Sequence, residues 1–453
     1  MKKALFLVSL LAIFTTGAFA QEKEKPSFKF YGFVRNYACY DTRESLTSNS
    51  EQFYYMPKNI KLDDNKEKDL NAQDNIMLLS ITTRLGLNVN GLNFLGSKTS
   101  AKIEADFAGF GTSNTVLRIR QAYAKMDWEY SKVLVGQAWH PAMGDMMPDV
   151  FSLETGAPFT PFSRTPQIRY DYETKNVKLT ATALYQFQYT SYGPDGASFN
   201  YARNAIVPEM YFQGIIKSGD FMMGLGVDVL TLKPRTQYSV TEKEDIYTPV
   251  VDKNGNPVYD TSGLIVGTEE QMYVKSTKET TKTYKSNDQL MVSVTPTIFA
   301  QYKKDRWGIK GRITYAQNAA HMSMISGYAV TEKLENGDWK YSSLNSIGGW
   351  IDATYKQPLK TGYLTFCCFA GYTKNLGCMN EIKGDIYMRG EKNMDYMWRV
   401  APSILYTHNA MQIGIEYNPT TVGYGKKVDS KYNMSDVHAV TNHRICAMLK
   451  YNF

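Results

Sequence analysis

Stretches in which apolar and polar residues alternate recur along most of the chain, and they limit its possible folds more than any other feature. Over residues 177–189 the odd-numbered positions are apolar or aromatic, whereas Lys178, Thr180 and Gln186 lie between them. The same alternation runs to the C-terminal Phe453. A period of two is that of a β-strand with one apolar and one polar face. The sequence therefore predicts the wall of a transmembrane antiparallel β-barrel, with lipid on one face and water on the other.

The final strand shows this pattern most clearly. Tyr451, Leu449 and Ile445 form its predicted lipid face, and Lys450 lies on the opposite face. The strand ends on Phe453 and resembles the C-terminal targeting strand of bacterial outer-membrane proteins. The resemblance implies that the barrel assembly machinery recognises Phe453. We therefore expect a multi-pass barrel in the outer membrane of a Gram-negative bacterium, with outer-membrane lipid around it.

The N-terminus has the pattern of a secretory signal peptide, residues 1–20. Lys2 and Lys3 precede an apolar run at 4–14, and Ala18-Phe19-Ala20 is a small-x-small cleavage site. The remaining residues, 21–453, contain no run of 18 apolar residues, and only 43% of the whole chain is hydrophobic. An exported chain that crosses a membrane without an apolar helix must do so as a closed barrel.

Short turns and long polar loops separate the alternating stretches in turn, which is the layout of an outer-membrane barrel. The stretches number about 16, and their predicted starts are Phe28, Asn75, Lys98, Leu117, Lys132, Thr165, Val177, Ile206, Phe221, Gln289, Arg306, Ser346, Thr361, Asn393, Ala410 and Val437. An even count places both termini on the periplasmic side. The longest connection, residues 234–288, is predicted to be an extracellular loop insertion in a single barrel domain, and its Asn254-Gly255 pair is a hairpin signal.

A barrel of this size is too wide for side chains to fill, so its lumen is predicted to hold water unless something blocks it. Residues 140–164 form the third outer loop, which is rich in Pro and Gly and carries Asp145, Asp149 and Glu154. In general porins that loop folds into the lumen and narrows it. By this analogy the three carboxylates line one side of a constriction.

Basic residues are predicted to face the acidic loop across the lumen. We call this predicted set the basic wall, and its members are Arg35, Arg84, Lys102, Arg118, Arg120 and Arg169. Arg118 and Arg120 are two residues apart and therefore share a strand face. A basic wall opposite an acidic loop creates a field that selects ions and orients polar solutes. We therefore expect passive diffusion of small polar or anionic solutes, with a mild preference for anions.

The run Arg118-Ile119-Arg120-Gln121-Ala122-Tyr123, followed by residues 133–139, resembles the fourth and fifth strands of the DcaP-like porins. Those are trimeric outer-membrane channels that prefer anionic solutes such as dicarboxylates. The resemblance is specific over residues 117–172 and implies a homotrimer with Arg118 and Arg120 at the narrow zone. Family members begin with a coiled-coil segment, for which residues 21–27 are too short. Gln121 lies on an otherwise apolar face and is therefore predicted to mark a subunit contact.

Other functions receive less support from the sequence. A surface adhesin or structural barrel with a blocked lumen is the main alternative, because the long loops would suit either role. A net charge of +7 without a basic run does not suggest nucleic acid.

No enzyme, cofactor or metal site is predicted. His438 and His443 are five residues apart and lie on opposite faces of a strand, and His321 lies in a loop with no evident acidic partner. The five cysteines indicate no disulfide framework, although a Cys368–Cys378 bridge is left open.

Overall fold

The computed structural model describes residues 25–48, 53–109, 116–151, 156–249, 253–254, 256 and 273–453. The predicted signal peptide, residues 1–20, and Glu154 lie outside these ranges. Within them, helices are short, and none is long and apolar enough to cross a membrane.

The described chain consists almost entirely of β-strands. In chain order they are β1 (Ser27–Asp41), β2 (Ser45–Ser48), β3 (Phe53–Pro57), β4 (Asn75–Leu79), β5 (Arg84–Phe94), β6 (Ser97–Asp106), β7 (Arg118–Asp127), β8 (Ser131–Trp139), β9 (Arg164–Glu173), β10 (Val177–Leu184), β11 (Ser191–Gly193), β12 (Gly196–Ser198), β13 (Glu209–Ser218), β14 (Phe221–Leu232), β15 (Gln237–Pro249), β16 (Tyr273–Lys285), β17 (Met291–Lys304), β18 (Trp307–Gln317), β19 (Gly327–Lys333), β20 (Trp339–Pro358), β21 (Tyr363–Cys378), β22 (Ile386–Met388), β23 (Met394–His408), β24 (Met411–Val428) and β25 (Met434–Asn452). Two short helices, α1 (Pro141–Gly144) and α2 (Asn200–Ala205), and a 3-10 helix (Ala320–Met322) lie in the connections.

Sixteen antiparallel strands form a closed barrel, which confirms the predicted fold class. Each strand pairs with its neighbour in sequence, and β1 pairs with β25 over Phe33↔Asn452 to Asp41↔Arg444 to close the circle. The segments β4 and β5 form one interrupted strand, because both pair with β1. Closure satisfies the backbone hydrogen bonds of every wall strand, which a lipid environment requires.

The two faces of the wall differ as the alternation predicts. Outward residues are apolar and exposed, as with Phe30 at 77% and Ile298 at 38%. Inward residues include buried polar and charged side chains such as Arg312 and Thr314. In β25, Leu449 is exposed, whereas its neighbour Met448 is buried, so the face assignment of the last strand is confirmed.

The alternation changes phase once in the second wall strand. Leu85 faces outward at 51% exposure, and the sequence predicts that Met77 and Leu79 share its face. That prediction is wrong, because Leu78 is outward at 77% exposure and Leu79 packs inside against Tyr37. The cause is a turn at residues 80–83, which separates β4 from β5 and shifts the period by one residue.

The predicted insertion at 234–288 contains a two-stranded hairpin formed by β15 and β16. A clasp holds its base: Arg235 makes a two-point ion pair with Asp288, at 2.9 and 2.8 Å, and Tyr341 donates to the same carboxylate at 2.7 Å. Burial alone raises the pKa of Asp288, but these hydrogen bonds outweigh it and hold the pKa below its usual range. That this hairpin lies over the mouth of the barrel stays a prediction.

A disulfide joins Cys39 to Cys446, which are direct partners in the β1–β25 pairing. The expectation of no disulfide is therefore wrong. The open alternative, a Cys368–Cys378 bridge, is also absent, because both of these cysteines are free. The sequence gave no signal for the bridge, since its two cysteines lie 407 residues apart and meet only when the barrel closes.

We predict that the disulfide stabilises the closed barrel against opening between β1 and β25. A disulfide typically contributes about 2–4 kcal/mol. The Cys39→Ser, Cys446→Ser double variant should therefore lose its folded, fast-migrating form in SDS gels at a lower temperature than the parent protein. Cys368→Ser is the matched control, because Cys368 is exposed and free. Equal transition temperatures for the double variant and the parent would contradict the prediction.

Candidate functional site

The residues of the predicted basic wall lie on neighbouring strands that run from the barrel seam to β9. Arg35 lies on β1, Arg84 on β5, Lys102 on β6, Arg118 and Arg120 on β7, and Arg169 on β9. All six belong to the inward polar face, where they are buried or half-buried. The sheet thus collects on one stretch of inner surface cations that are far apart in sequence.

Arg118 and Arg120 are the most strongly paired members of this set. Arg118 makes a two-point ion pair with Asp106 at 2.9 and 2.8 Å. Arg120 bridges Glu104 and Asp106, at 2.9 and 2.8 Å. Their side chains are only 3% and 7% exposed. These two arginines are therefore neutralised by β6 and present little charge to the lumen.

A β-bulge explains how β7 presents so many polar groups to one side. The register between β6 and β7 shifts between Glu104 and Ala105, so that Arg120 and Gln121 both point inward. Gln121 donates to Glu104 at 3.3 Å. The prediction that Gln121 marks a subunit contact on the lipid face is therefore wrong.

Arg84, Lys102 and Arg169 keep more of their charge available. Arg84 and Lys102 lie 3.7 and 3.8 Å from Glu104, and their side chains are 20% and 25% exposed. Arg169 is 19% exposed and lies 3.3 Å from Asp171. Since Glu104 also serves Arg120, its single charge is shared among three cations, which leaves positive charge uncompensated here.

A further cationic group surrounds Phe33 on β1. The guanidinium carbons of Arg35 and Arg84 lie 5.1 and 4.9 Å from the ring centroid, and the Lys450 ammonium lies 4.4 Å from it. Arg35 donates to Thr82 at 3.1 Å. In the described part of the chain, no carboxylate lies within 4.0 Å of Arg35 or Lys450. Cation–π contacts stabilise this group without cancelling its charge.

Positive charge therefore exceeds negative charge on this inner surface. The basic wall and Lys450 supply seven cations, whereas Glu104, Asp106 and Asp171 supply three carboxylates. Lys450 was not assigned to the wall from the sequence, although its place on the inward face of β25 follows from the alternation. Glu104 and Asp106 were placed inward as well, but their pairing with β7 depends on strand neighbours that a single sequence does not reveal.

The carboxylates of the third loop, residues 140–163, bind other cations. Asp145 pairs with Lys178 of β10 at 2.7 Å, and Asp149 pairs with Lys310 of β18 at 2.7 Å. Neither contacts the basic wall. The described part of the third loop therefore does not form direct ion pairs with the residues that the sequence predicted to face it.

The third loop instead contacts inward side chains of several distant strands. Tyr37 of β1 donates to the carbonyl of Phe151 at 2.8 Å, and the amide of Phe151 donates to Glu416 of β24 at 2.7 Å. Arg399 of β23 donates to the carbonyl of Ala157 at 3.2 Å. These partners come from strands on both sides of the seam.

An apolar cluster forms where three outer connections meet inward aromatic residues of the wall. The connections supply Tyr55, Met56, Met146, Phe159 and Ile325, and the wall residues include Phe299, Trp350 and Phe369. All are almost fully buried. The inner surface thus has two regions: a charged one from β25 to β9, and an apolar one centred on β17 to β23.

No family model and no curated protein matches the sequence. Solved structures do match. The outer membrane channel DcaP of Acinetobacter baumannii is 17% identical, and the alignment covers 96% of this chain and 100% of that chain with a TM-score of 0.59. The chain has the fold of an outer-membrane channel. This likeness confirms, at the level of architecture, the resemblance stated from residues 117–172.

Two further solved structures show lower similarity. A loop L8 deletion mutant of OmpT, an outer membrane protein of Vibrio cholerae, is 12% identical over 94% of this chain and 99% of that chain, with a TM-score of 0.50. An anion-selective porin from Comamonas acidovorans is 8% identical over 95% and 100%, with a TM-score of 0.49.

We predict that Asp106→Asn destabilises the barrel more than a surface substitution of the same kind. It leaves Arg118 and part of Arg120 buried without a countercharge, which typically costs about 3–5 kcal/mol. Asp127→Asn is the matched control, because Asp127 pairs with Lys125 while 36% exposed, and such pairs contribute roughly 0–1 kcal/mol. Urea unfolding of detergent-solubilised protein, followed by tryptophan fluorescence, measures both. Similar losses in the two variants would contradict the assignment of Asp106 as the buried countercharge.

Proposed function

We propose that this protein is an outer-membrane porin that allows small hydrophilic solutes and ions to diffuse passively, with a mild preference for anions. The closed sixteen-stranded barrel with an apolar exterior supports a channel. The observation that carries the anion preference is the excess of basic side chains over carboxylates between β25 and β9. Uncompensated charge in a narrow, low-dielectric passage raises the local concentration of counter-ions and lowers that of co-ions.

The solute path in this proposal runs beside the basic wall. The third loop folds into the lumen and narrows it, and its contacts with Tyr37, Glu416 and Arg399 support this placement. Arg84, Lys102 and Arg169 are the basic-wall residues that meet the solute, because they are the more exposed members. Arg118 and Arg120 support the path indirectly, by neutralising Glu104 and Asp106.

The natural solute in this proposal is a small anionic or polar molecule, and the protein needs no catalytic group. The homotrimer and recognition of Phe453 by the barrel assembly machinery stay predictions from resemblance. In a trimer, contacts between the apolar outer faces of the barrels would hold the subunits together.

A second candidate function has support from the apolar cluster. Tyr55, Met56, Phe159 and Ile325 pack against wall residues in the way that a protein core packs. If this packing extends across the whole lumen, the protein is a surface adhesin or structural barrel with a blocked lumen.

Planar-bilayer recording of the purified, folded protein separates the two functions. A porin gives steady single-channel conductance and an anion-favouring reversal potential under a salt gradient. No conductance from protein that is demonstrably folded would favour the blocked barrel, and a cation-favouring potential would contradict the anion preference.

We predict that Arg84→Gln combined with Lys102→Gln shifts the reversal potential toward cations. The double variant removes two partly exposed cations and leaves Glu104 paired mainly with Arg120, so the local charge becomes less positive. The matched control is Lys243→Gln with Lys282→Gln, which removes the same charge from the exposed β15–β16 hairpin. An equal shift in both double variants would indicate a general surface-charge effect and contradict the placement of the path.

A further inference from the structure

Two histidines and two carboxylates meet in the barrel interior, away from the basic wall. His140 follows β8 and begins the third loop, and His321 lies in the 3-10 helix between β18 and β19. Glu209 and Asp228 lie on the inward faces of the neighbouring strands β13 and β14. All four side chains are at most 2% exposed. The sequence analysis found no acidic partner for His321, because its partners lie more than 90 residues away on the wall.

The four side chains converge on one small volume. The Nε2 atoms of His140 and His321 lie 2.9 and 3.1 Å from the same Glu209 oxygen. The Asp228 oxygens lie 3.6 Å from Nε2 of His140 and 3.9 Å from Nε2 of His321. A tetrahedral zinc ion with bonds of about 2.0–2.1 Å spaces its ligand atoms about 3.3 Å apart. The observed separations bracket this value.

The cluster also lacks an ordinary countercharge. Burying two carboxylates is costly unless cations accompany them. Across the described ranges, no lysine or arginine lies within 4.0 Å of Glu209 or Asp228, and their ion-pair contacts are with the histidines alone. One Asp228 oxygen, Oδ1, is buried and has no hydrogen-bond partner. This oxygen is available to a ligand.

Doubly protonated histidines would supply the missing charge only poorly. The amide of Ala142 donates to Nδ1 of His140 at 3.1 Å, so this nitrogen accepts a hydrogen bond and carries no proton. Nδ1 of His321 is buried without a hydrogen-bond partner, so a proton there would be unsatisfied. A divalent cation would neutralise both carboxylates at once.

We propose that His140, His321, Glu209 and Asp228 form a binding site for a divalent transition-metal ion, with zinc as the best match. Imidazole and carboxylate ligands suit zinc among the common divalent ions. Binding through Nε2 moves the ring proton of His140 to Nδ1, where it displaces the hydrogen bond from Ala142. Metal occupancy is therefore coupled to the start of α1 and the third loop.

The site would join three parts of the barrel. It links the third loop through His140 and the connection after β18 through His321 to the wall strands β13 and β14. A backbone hydrogen bond from Phe162 to Met322, at 2.7 Å, already joins the two connections. A metal ion here would hold the third loop against the wall, and this role does not depend on which solute the protein carries.

The test uses full-length protein stripped with EDTA and then titrated with Zn²⁺ alone. We expect the parent protein to bind about one zinc per chain by elemental analysis, and its thermal unfolding temperature to rise on zinc addition. His321→Gln and Asp228→Asn should abolish both effects. The matched control His408→Gln, at the turn between β23 and β24, should retain both.

Several outcomes would overturn the proposal. They are the absence of bound zinc in folded parent protein, zinc binding that the His321→Gln and Asp228→Asn variants retain, or zinc binding without any rise in the unfolding temperature. If either variant fails to fold, the comparison of stripped and zinc-loaded parent protein still decides the question. Conductance is not part of this test, so its outcome is independent of the proposed porin function.

Discussion

The pairing of the first strand with the last is the constraint on which the rest of the structure depends. In lipid an unpaired backbone N–H or C=O group costs several kcal/mol, so a wall of strands is stable only when it has no edge. The nine residue pairs from Phe33↔Asn452 to Asp41↔Arg444 remove that edge. Only a closed wall separates an inner surface from lipid, and only such an inner surface can hold buried arginines and carboxylates.

Once the barrel is closed, its interior must be filled by water or by protein, and both solutions are present. On one side the outer connections pack against Trp350 and Phe369 as in a protein core. On the other side, charged groups dominate, and aromatic rings such as Phe33 support cations that lack carboxylate partners. This division gives one surface of the interior a mechanical role and the other an electrostatic role.

The strands and their faces could be predicted from the sequence because alternation is a local property. Each of the sixteen predicted starts lies within or next to a wall strand of the structure. Local reasoning failed where a break shifts the phase, as at residues 80–83, and where a bulge turns Gln121 inward. It also failed for contacts between distant residues. The Cys39–Cys446 bridge, the pairing of Asp106 with Arg118, and the meeting of His321 with Glu209 all depend on which strands become neighbours. The sequence contained these residues, but it held no record of their distances.

The register at the seam places Arg35 directly opposite Lys450. Like charges in directly opposed positions of an antiparallel pair repel each other and weaken the pairing. The joint that must form last, when the two ends of the wall meet, is therefore also a joint that works against electrostatic repulsion. The Cys39–Cys446 bridge lies four positions further along the same strand pair. Oxidation in the periplasm would lock a seam that its own charges push apart, so the thiol–disulfide environment during export bears directly on the yield of correctly closed barrels.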